Sequence, residues 1–189
     1  MKDRQRITLC GMGGQGIILS AVILGTAAVR YGHKYAVQTQ SYGSEARGGQ
    51  CQAELIIDTQ PINSPVAEKK DLLVAMFQEA YEKYIDTLDT DGVLVYDPDL
   101  VTDLKGRHGG RCLPIPATQI AVDMGNRMAA NMVMLGFISQ ALKLLSHDDL
   151  AATVKENVSP RFVELNLKAV DAGAAYAKEQ EAEADHGSV

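Results

Sequence analysis

Apolar and polar positions change period several times along the chain. Arg6–Cys10 is a short β-type run that feeds into Gly11-Met-Gly-Gly-Gln-Gly16. The apolar stretch from Ile17 to Tyr31, stopped by Gly32, has the length of a buried helix rather than of a strand. Lys34–Gln40, rich in Tyr and Val, reads as a second strand, Ser41–Gln50 as a loop by composition, and Cys51–Asp58 as a third strand. Thr59–Lys70 carries Pro61, Asn63, Ser64 and Pro65, the chemistry of a connector. Asp71–Met76 is compact and apolar, as in a buried strand. Phe77–Leu88 sets Tyr81, Tyr84, Ile85 and Leu88 at helical spacing. Gly92–Tyr96, closed by Asp97-Pro98, is another strand, 103–110 an exposed loop, and Arg111–Ile115 a last strand before Pro116. Beyond it, Thr118–Leu145 predicts a long helix that would break at Gly125 or Gly136, and Asp148–Glu156 a second helix. Ser159-Pro160 opens a third, with a capping residue followed by Pro at the first position. The acidic stretch from about residue 179 reads as a frayed tail. Helices that alternate with short apolar strands predict an α/β fold: one domain over 1–189, a mostly parallel sheet with helices on both faces.

Composition narrows the function classes. At 189 residues, with 46% hydrophobic and 22% charged positions, the chain can bury one sizeable core. A formal net charge of −6, no Trp and 5% aromatic residues argue against a general nucleic-acid binder, which needs cationic surface and stacking platforms. The three cysteines, Cys10, Cys51 and Cys112, are isolated and odd in number. Without a Cys-x-x-Cys pair there is no local spacing for an iron–sulfur or zinc site, and a disulfide scaffold is disfavoured. No apolar run has the length of a membrane span and the start carries no apolar signal core, so the expected setting is the cytoplasm.

Gly11, Gly13 and Gly16 fit G-x-G-x-x-G between a strand and an apolar helix, with Gly14 and Gln15 filling the turn. Glycines let backbone N–H groups approach an anion, and the helix N-terminus favours negative charge, so these five residues are candidate phosphate ligands. The same spacing also serves as a tight strand-to-helix turn without a ligand, with Gln15 capping it. A dinucleotide site needs an acidic ribose ligand about 20 residues on. Between Asp3 and Glu45 there is no Asp or Glu, which disfavours a nicotinamide dehydrogenase. None of the four histidines stands where it would serve as that enzyme's catalytic partner, and no catalytic or metal-ligating residue is assigned.

The second dense segment is Ser41-Tyr-Gly-Ser-Glu-Ala-Arg-Gly-Gly49. Ser41, Tyr42, Gly43, Glu45, Arg47, Gly48 and Gly49 are candidates for an interface or active-site loop. Glycines permit close approach, and Arg47 can grip a carboxylate or phosphate with two parallel hydrogen bonds. A surface loop with a local Glu45–Arg47 pair is the alternative.

With both motifs in view, the sequence resembles the gamma subunit of the 2-oxoacid:ferredoxin oxidoreductases over about residues 6–175. The resemblance rests on the segments from Gly11 to Ala28 and from Gln38 to Ile57. Ile62-Asn-Ser-Pro65, Asp71-Leu-Leu-Val-Ala75, Val93-Leu-Val-Tyr-Asp97 and Asn131-Met-Val-Met-Leu-Gly136 follow in the family's order. The Ser41–Gly49 loop looks most like the 2-oxoglutarate branch, with branched-chain and pyruvate members as alternatives. The resemblance implies a Rossmann-like domain in a multisubunit enzyme that decarboxylates a 2-oxoacid, passes the electrons to ferredoxin and transfers the acyl group to coenzyme A. It implies that thiamine diphosphate, magnesium and [4Fe–4S] clusters sit on alpha, beta and in some members delta subunits. This chain would then be inactive alone, would dock on the thiamine-bearing subunits and would complete the coenzyme A side of the site. A stand-alone nucleotide- or acyl-CoA-binding enzyme is the competing class.

Three smaller features complete the reading. Met124, Met128 and Met132 recur every four residues and predict one helix face, for core packing or a subunit interface. Asn126 and Asn131 need partners if buried. Cys10 and Cys51 are expected to be inert core residues, whereas Arg111 would lower the thiol pKa of Cys112.

Overall fold

The computed structural model describes residues 3–42, 49–106 and 109–186. It divides into two compact units, 1–116 and 117–189.

The first unit is a six-stranded sheet with helices on both faces. Its strands are β1 (Gln5–Met12), β2 (Tyr35–Tyr42), β3 (Gln50–Asp58), β4 (Lys70–Ala75), β5 (Leu88–Tyr96) and β6 (Arg111–Pro114), in the order β2-β3-β1-β4-β5-β6. The neighbours β1–β4, β4–β5 and β5–β6 are parallel, whereas β2–β3 and β3–β1 are antiparallel. The expected mostly parallel sheet therefore carries an antiparallel hairpin on one side. Helix α1 (Ile17–Arg30) covers one face, and its Gly25 lies close to Leu55 and Ala36. Helix α2 (Gln78–Tyr84) covers the other, where Cys10, Leu73, Ala75 and Leu94 pack against Ala80, Tyr81 and Ile85. Tyr81 is fully buried, and its hydroxyl donates to the Leu104 carbonyl at 2.6 Å.

Strands β1, β2, β3 and β5 are longer than their apolar runs predict, whereas β4 keeps the predicted length and β6 stops one residue short, at Pro114. Backbone pairing carries β2 on through Ser41 and Tyr42 and starts β5 at Leu88, where the amphipathic stretch predicts the end of a helix. At the amino-terminal ends of the strands, Arg6 grips Asp71 with two hydrogen bonds of 2.8 Å and ties β1 to β4.

The second unit is helical: α3 (Ala117–Asp123), α4 (Ala130–Ala141), α5 (His147–Asn157) and α6 (Val163–His186). The predicted long helix breaks at Gly125, where φ is +87°, and continues through 3-10 residues Arg127–Ala129 into α4. It does not break at Gly136. That residue and Gly173 of α6 put the two helix backbones in direct contact: a methyl group added to Gly136 would fall on the Val170 carbonyl, and one added to Gly173 on the Val133 carbonyl. The break dissolves the predicted methionine face, since Met128 is exposed and Met132 buried. Asn126 caps the 3-10 turn by accepting the Met128 N–H, and Asn131 is buried. Ser159 makes no side-chain cap; a 3-10 turn over Pro160–Phe162 leads into α6 instead. Helix α6 runs on through the acidic stretch to His186, with residues 179–184 exposed.

Candidate functional site

The carboxyl ends of β1, β4, β5 and β6 lie along one edge of the sheet. Because β2 and β3 form a hairpin, the end of β2 and the start of β3 reach that same edge, where Met12 pairs with Gln50 and Tyr42 with Cys51. The two motifs meet here: the Gly13 N–H donates to the Gly49 carbonyl at 2.9 Å. Ser41 and Tyr42 are exposed on β2. Gly43, Glu45, Arg47 and Gly48 lie outside the described residues.

At this edge, α1 leaves β1 over one face of the sheet and α2 leaves β4 over the other. Ligands of open α/β sheets bind where neighbouring strands part in this way. Gln15 bridges the parting. Its Oε1 accepts the Met12 N–H at 2.6 Å, and its Nε2 donates to the Met76 carbonyl, just past β4, at 2.8 Å. Gln15 thus caps the turn. Gly11 serves the same arrangement, because a methyl group there would stand 2.5 Å from Gln15 Oε1 and 2.7 Å from Ile17 Cδ1.

These bonds redefine the predicted cradle. The N–H groups of Met12, Gly13 and Gln15 are committed to Gln15 Oε1, Gly49 and Met12 respectively. In the turn, Gly14 N–H is engaged by no described residue. Gly14 is exposed at φ +95°, and a methyl group there would meet nothing within 4 Å. Gly16, at φ +75°, caps α1 without a side-chain hydrogen bond, and the first turn of α1 carries no acid. The open part of the turn is therefore Gly14 and the amino-terminal end of α1, with its unspent backbone donors and positive dipole end.

Asp97, at the carboxyl end of β5, is buried. Its N–H donates to Ala75 O at 3.1 Å and its Oδ1 takes the Asp99 N–H at 3.0 Å, which shapes the loop beside β4. The Asp-Pro pair signals this turn in the sequence; the burial does not show there. The cysteines stand apart from chemistry at this edge. Burial pushes the Cys10, Cys51 and Cys112 thiols up, so the lowering expected at Cys112 from Arg111 gives way to desolvation. Among the described residues, no helix is long and apolar enough to cross a membrane.

The pyruvate ferredoxin/flavodoxin oxidoreductase family model matches residues 6–176. The chain is 42% identical over 181 residues to 2-oxoglutarate synthase subunit KorC of Methanocaldococcus jannaschii, covering 95% of this chain and 97% of that one. Its structure is similar to the gamma subunit of the keto/oxoacid ferredoxin oxidoreductase of Geobacter sulfurreducens, with a TM-score of 0.84, 37% identity and 94% and 98% of the two chains covered. It is similar as well to a 2-oxoglutarate:ferredoxin oxidoreductase of Magnetococcus marinus solved with 2-oxoglutarate, coenzyme A and succinyl-CoA, with a TM-score of 0.85 and 27% identity; 95% of this chain matches 32% of that one. The chain belongs to the pyruvate ferredoxin/flavodoxin oxidoreductase family, as a subunit of the gamma type most similar to those of 2-oxoglutarate enzymes.

Proposed function

We propose that this chain docks on the thiamine-bearing alpha and beta subunits of a cytoplasmic 2-oxoglutarate:ferredoxin oxidoreductase and forms the coenzyme A side of its acyl-transfer site. The hydrogen bond from Gly13 to Gly49 carries the reading. It joins the two sequence motifs at the edge where the sheet opens, so the phosphate-type turn stands beside Gly49, the last residue of the second motif. In the assembled enzyme, thiamine diphosphate on the partners supplies the decarboxylation chemistry, and ferredoxin takes the electrons. This chain orients the acyl acceptor: the Gly14 N–H and the amino-terminal end of α1 face a phosphate of coenzyme A, while Gln15 keeps the turn closed on β4. The succinyl-CoA and coenzyme A in the Magnetococcus marinus enzyme, a third of whose chain resembles this one, support that assignment of ligand class.

Arg47 tests the docking reading. Truncating one partner of a buried, hydrogen-bonded charge pair costs about 2–5 kcal/mol, against at most about 1 kcal/mol at an exposed site. Arg47→Ala is expected to lower either assembly affinity or coenzyme A-dependent turnover of the complex more than tenfold, while the circular dichroism of the isolated chain stays that of the parent. An Arg47→Ala complex that assembles and turns over like the parent refutes this role for the loop.

A further inference from the structure

β2 ends at the functional edge on an aromatic residue. Among the described residues of the first unit, the exposed aromatic side chains are Tyr31, Tyr35 and Tyr42. Tyr31 follows the far end of α1, and Tyr35 opens β2 at the far end of the strand. Tyr42 alone stands where the glycine turn lies, and at 63% exposure it is the barest of the three.

The strand register fixes which way its side chain points. Gly11, Cys51 and Tyr42 form one row across β1, β3 and β2, so all three share a face of the sheet. That face is the one α1 covers. A methyl group on Gly11 would meet Ile17, the first residue of α1, and Leu55, four residues along β3 from Cys51, lies against Gly25 of the same helix. The row is two strand spacings wide, or ~10 Å. Tyr42 therefore flanks the glycine turn and the amino-terminal end of α1. Gln40, two residues back on β2, shares this face and is exposed as well. Tyr35, an odd number of residues away, points to the opposite face.

The charge pattern suits an anionic nucleotide. From Gln5 to Tyr42 there is no Asp or Glu, so β1, the turn, α1 and β2 bring no carboxylate that would repel phosphates.

We infer that Tyr42 is the platform on which the adenine base of coenzyme A stacks, with the Gln40 amide at the edge of the base; the inference rests on the reading of this edge as the coenzyme A site. A base joined through one ribose to a phosphate spans a gap of the size of this row, so a phosphate at Gly14 and the end of α1 leaves the base at Tyr42. An aromatic ring suits a base because every base presents a π-face, and a glutamine amide offers the donor and acceptor that the adenine edge matches. The labour is thus divided along one ligand. The turn takes phosphate, Tyr42 takes the base, and the thiol end extends toward the thiamine-bearing subunits.

The test compares Tyr42→Leu, which keeps apolar bulk without an aromatic face, with Tyr42→Phe and with Tyr35→Leu on the other face of the same strand. In the assembled enzyme it measures the Michaelis constant for coenzyme A and the inhibition of coenzyme A use by two fragments, adenosine 3′,5′-bisphosphate and 4′-phosphopantetheine. Tyr42→Leu is expected to raise the coenzyme A Michaelis constant and the bisphosphate inhibition constant about fivefold or more, with kcat and the phosphopantetheine constant within about twofold of the parent. Tyr42→Phe and Tyr35→Leu are expected to match the parent. An unchanged coenzyme A constant in Tyr42→Leu, equal rises for both fragments, or a parent that the bisphosphate does not inhibit would each overturn the inference. A Tyr42→Leu chain that folds but no longer assembles overturns it too, and assigns Tyr42 to the subunit interface. Gly14→Ala separates the two readings. If it raises the coenzyme A constant and Tyr42→Leu does not, the site stands and the base lies elsewhere; if neither does, coenzyme A does not bind at this edge.

Discussion

Gly14 and Gly136 serve opposite ends. At Gly14 the backbone takes φ +95° and the space where a side chain would start is open to 4 Å. At Gly136 that space is filled by the Val170 carbonyl of the facing helix. The first glycine leaves open space beside the turn proposed to take a phosphate; the second abolishes room so that two helix backbones touch. The difference teaches that a glycine near a function and a glycine in a core are told apart by what surrounds the missing side chain. Between these extremes stands Gly11, whose missing side chain makes way for Gln15 and Ile17 within the same turn.

The comparison breaks most sharply in the helical unit. Gly136→Ala requires α4 and α6 to move apart, since the obstacle is a carbonyl and not the end of a flexible side chain. The expected loss is about 3 kcal/mol or more. For a chain of this size that lowers Tm by roughly 6–12 °C, measurable by calorimetry. A Tm within 2 °C of the parent would mean that the helices do not cross this closely.

Gln15→Ala comes next. It leaves the Met12 N–H and the Met76 carbonyl without their partner, for an expected loss of about 2 kcal/mol. Local amide exchange should rise at Met12, because the clasp between β1 and β4 is gone. Chemical denaturation together with exchange at that amide checks both expectations, and unchanged exchange would show that Gln15 does not close the turn.

Gly14→Ala is the mildest, at about 1 kcal/mol, because it meets no neighbour and loses only the backbone freedom for positive φ. Its effect should instead appear in function. A side chain beside the Gly14 N–H crowds an approaching phosphate, so the Michaelis constant for coenzyme A in the assembled enzyme is expected to rise several-fold while Tm changes little. A variant with unchanged coenzyme A kinetics would reduce this turn to a structural element.

Much of the candidate site was legible in the residues from Arg6 to Gly16, because a β-type run, a glycine cluster and an apolar helix are each local signals. The role of Gln15 was only half legible. That it would cap was one of two readings of the turn, but its partner across the sheet, Met76, lies far along the chain and carries no side-chain signal. The methionine spacing misled for a related reason. Met124, Met128 and Met132 keep a helical period in sequence, but Gly125 turns the backbone to φ +87° and the period no longer describes one face. Gly136 was an equally good candidate for that break. What spared it is Val170, on another helix.

The succession of strands and helices along the chain, the apolar runs Leu72–Ala75 in β4 and Val93–Tyr96 in β5, and the burial of Cys10 and Cys51 follow from the sequence by itself, because each depends on side-chain polarity within a few neighbouring residues. The side-by-side placement of Gly13 and Gly49, the antiparallel hairpin among parallel strands and the closed crossing at Gly136 and Gly173 were decided only by the tertiary structure. Each of these depends on where a backbone carbonyl or a neighbouring strand comes to rest. Backbone groups are the same at every residue, so no pattern of side chains records which of them will meet.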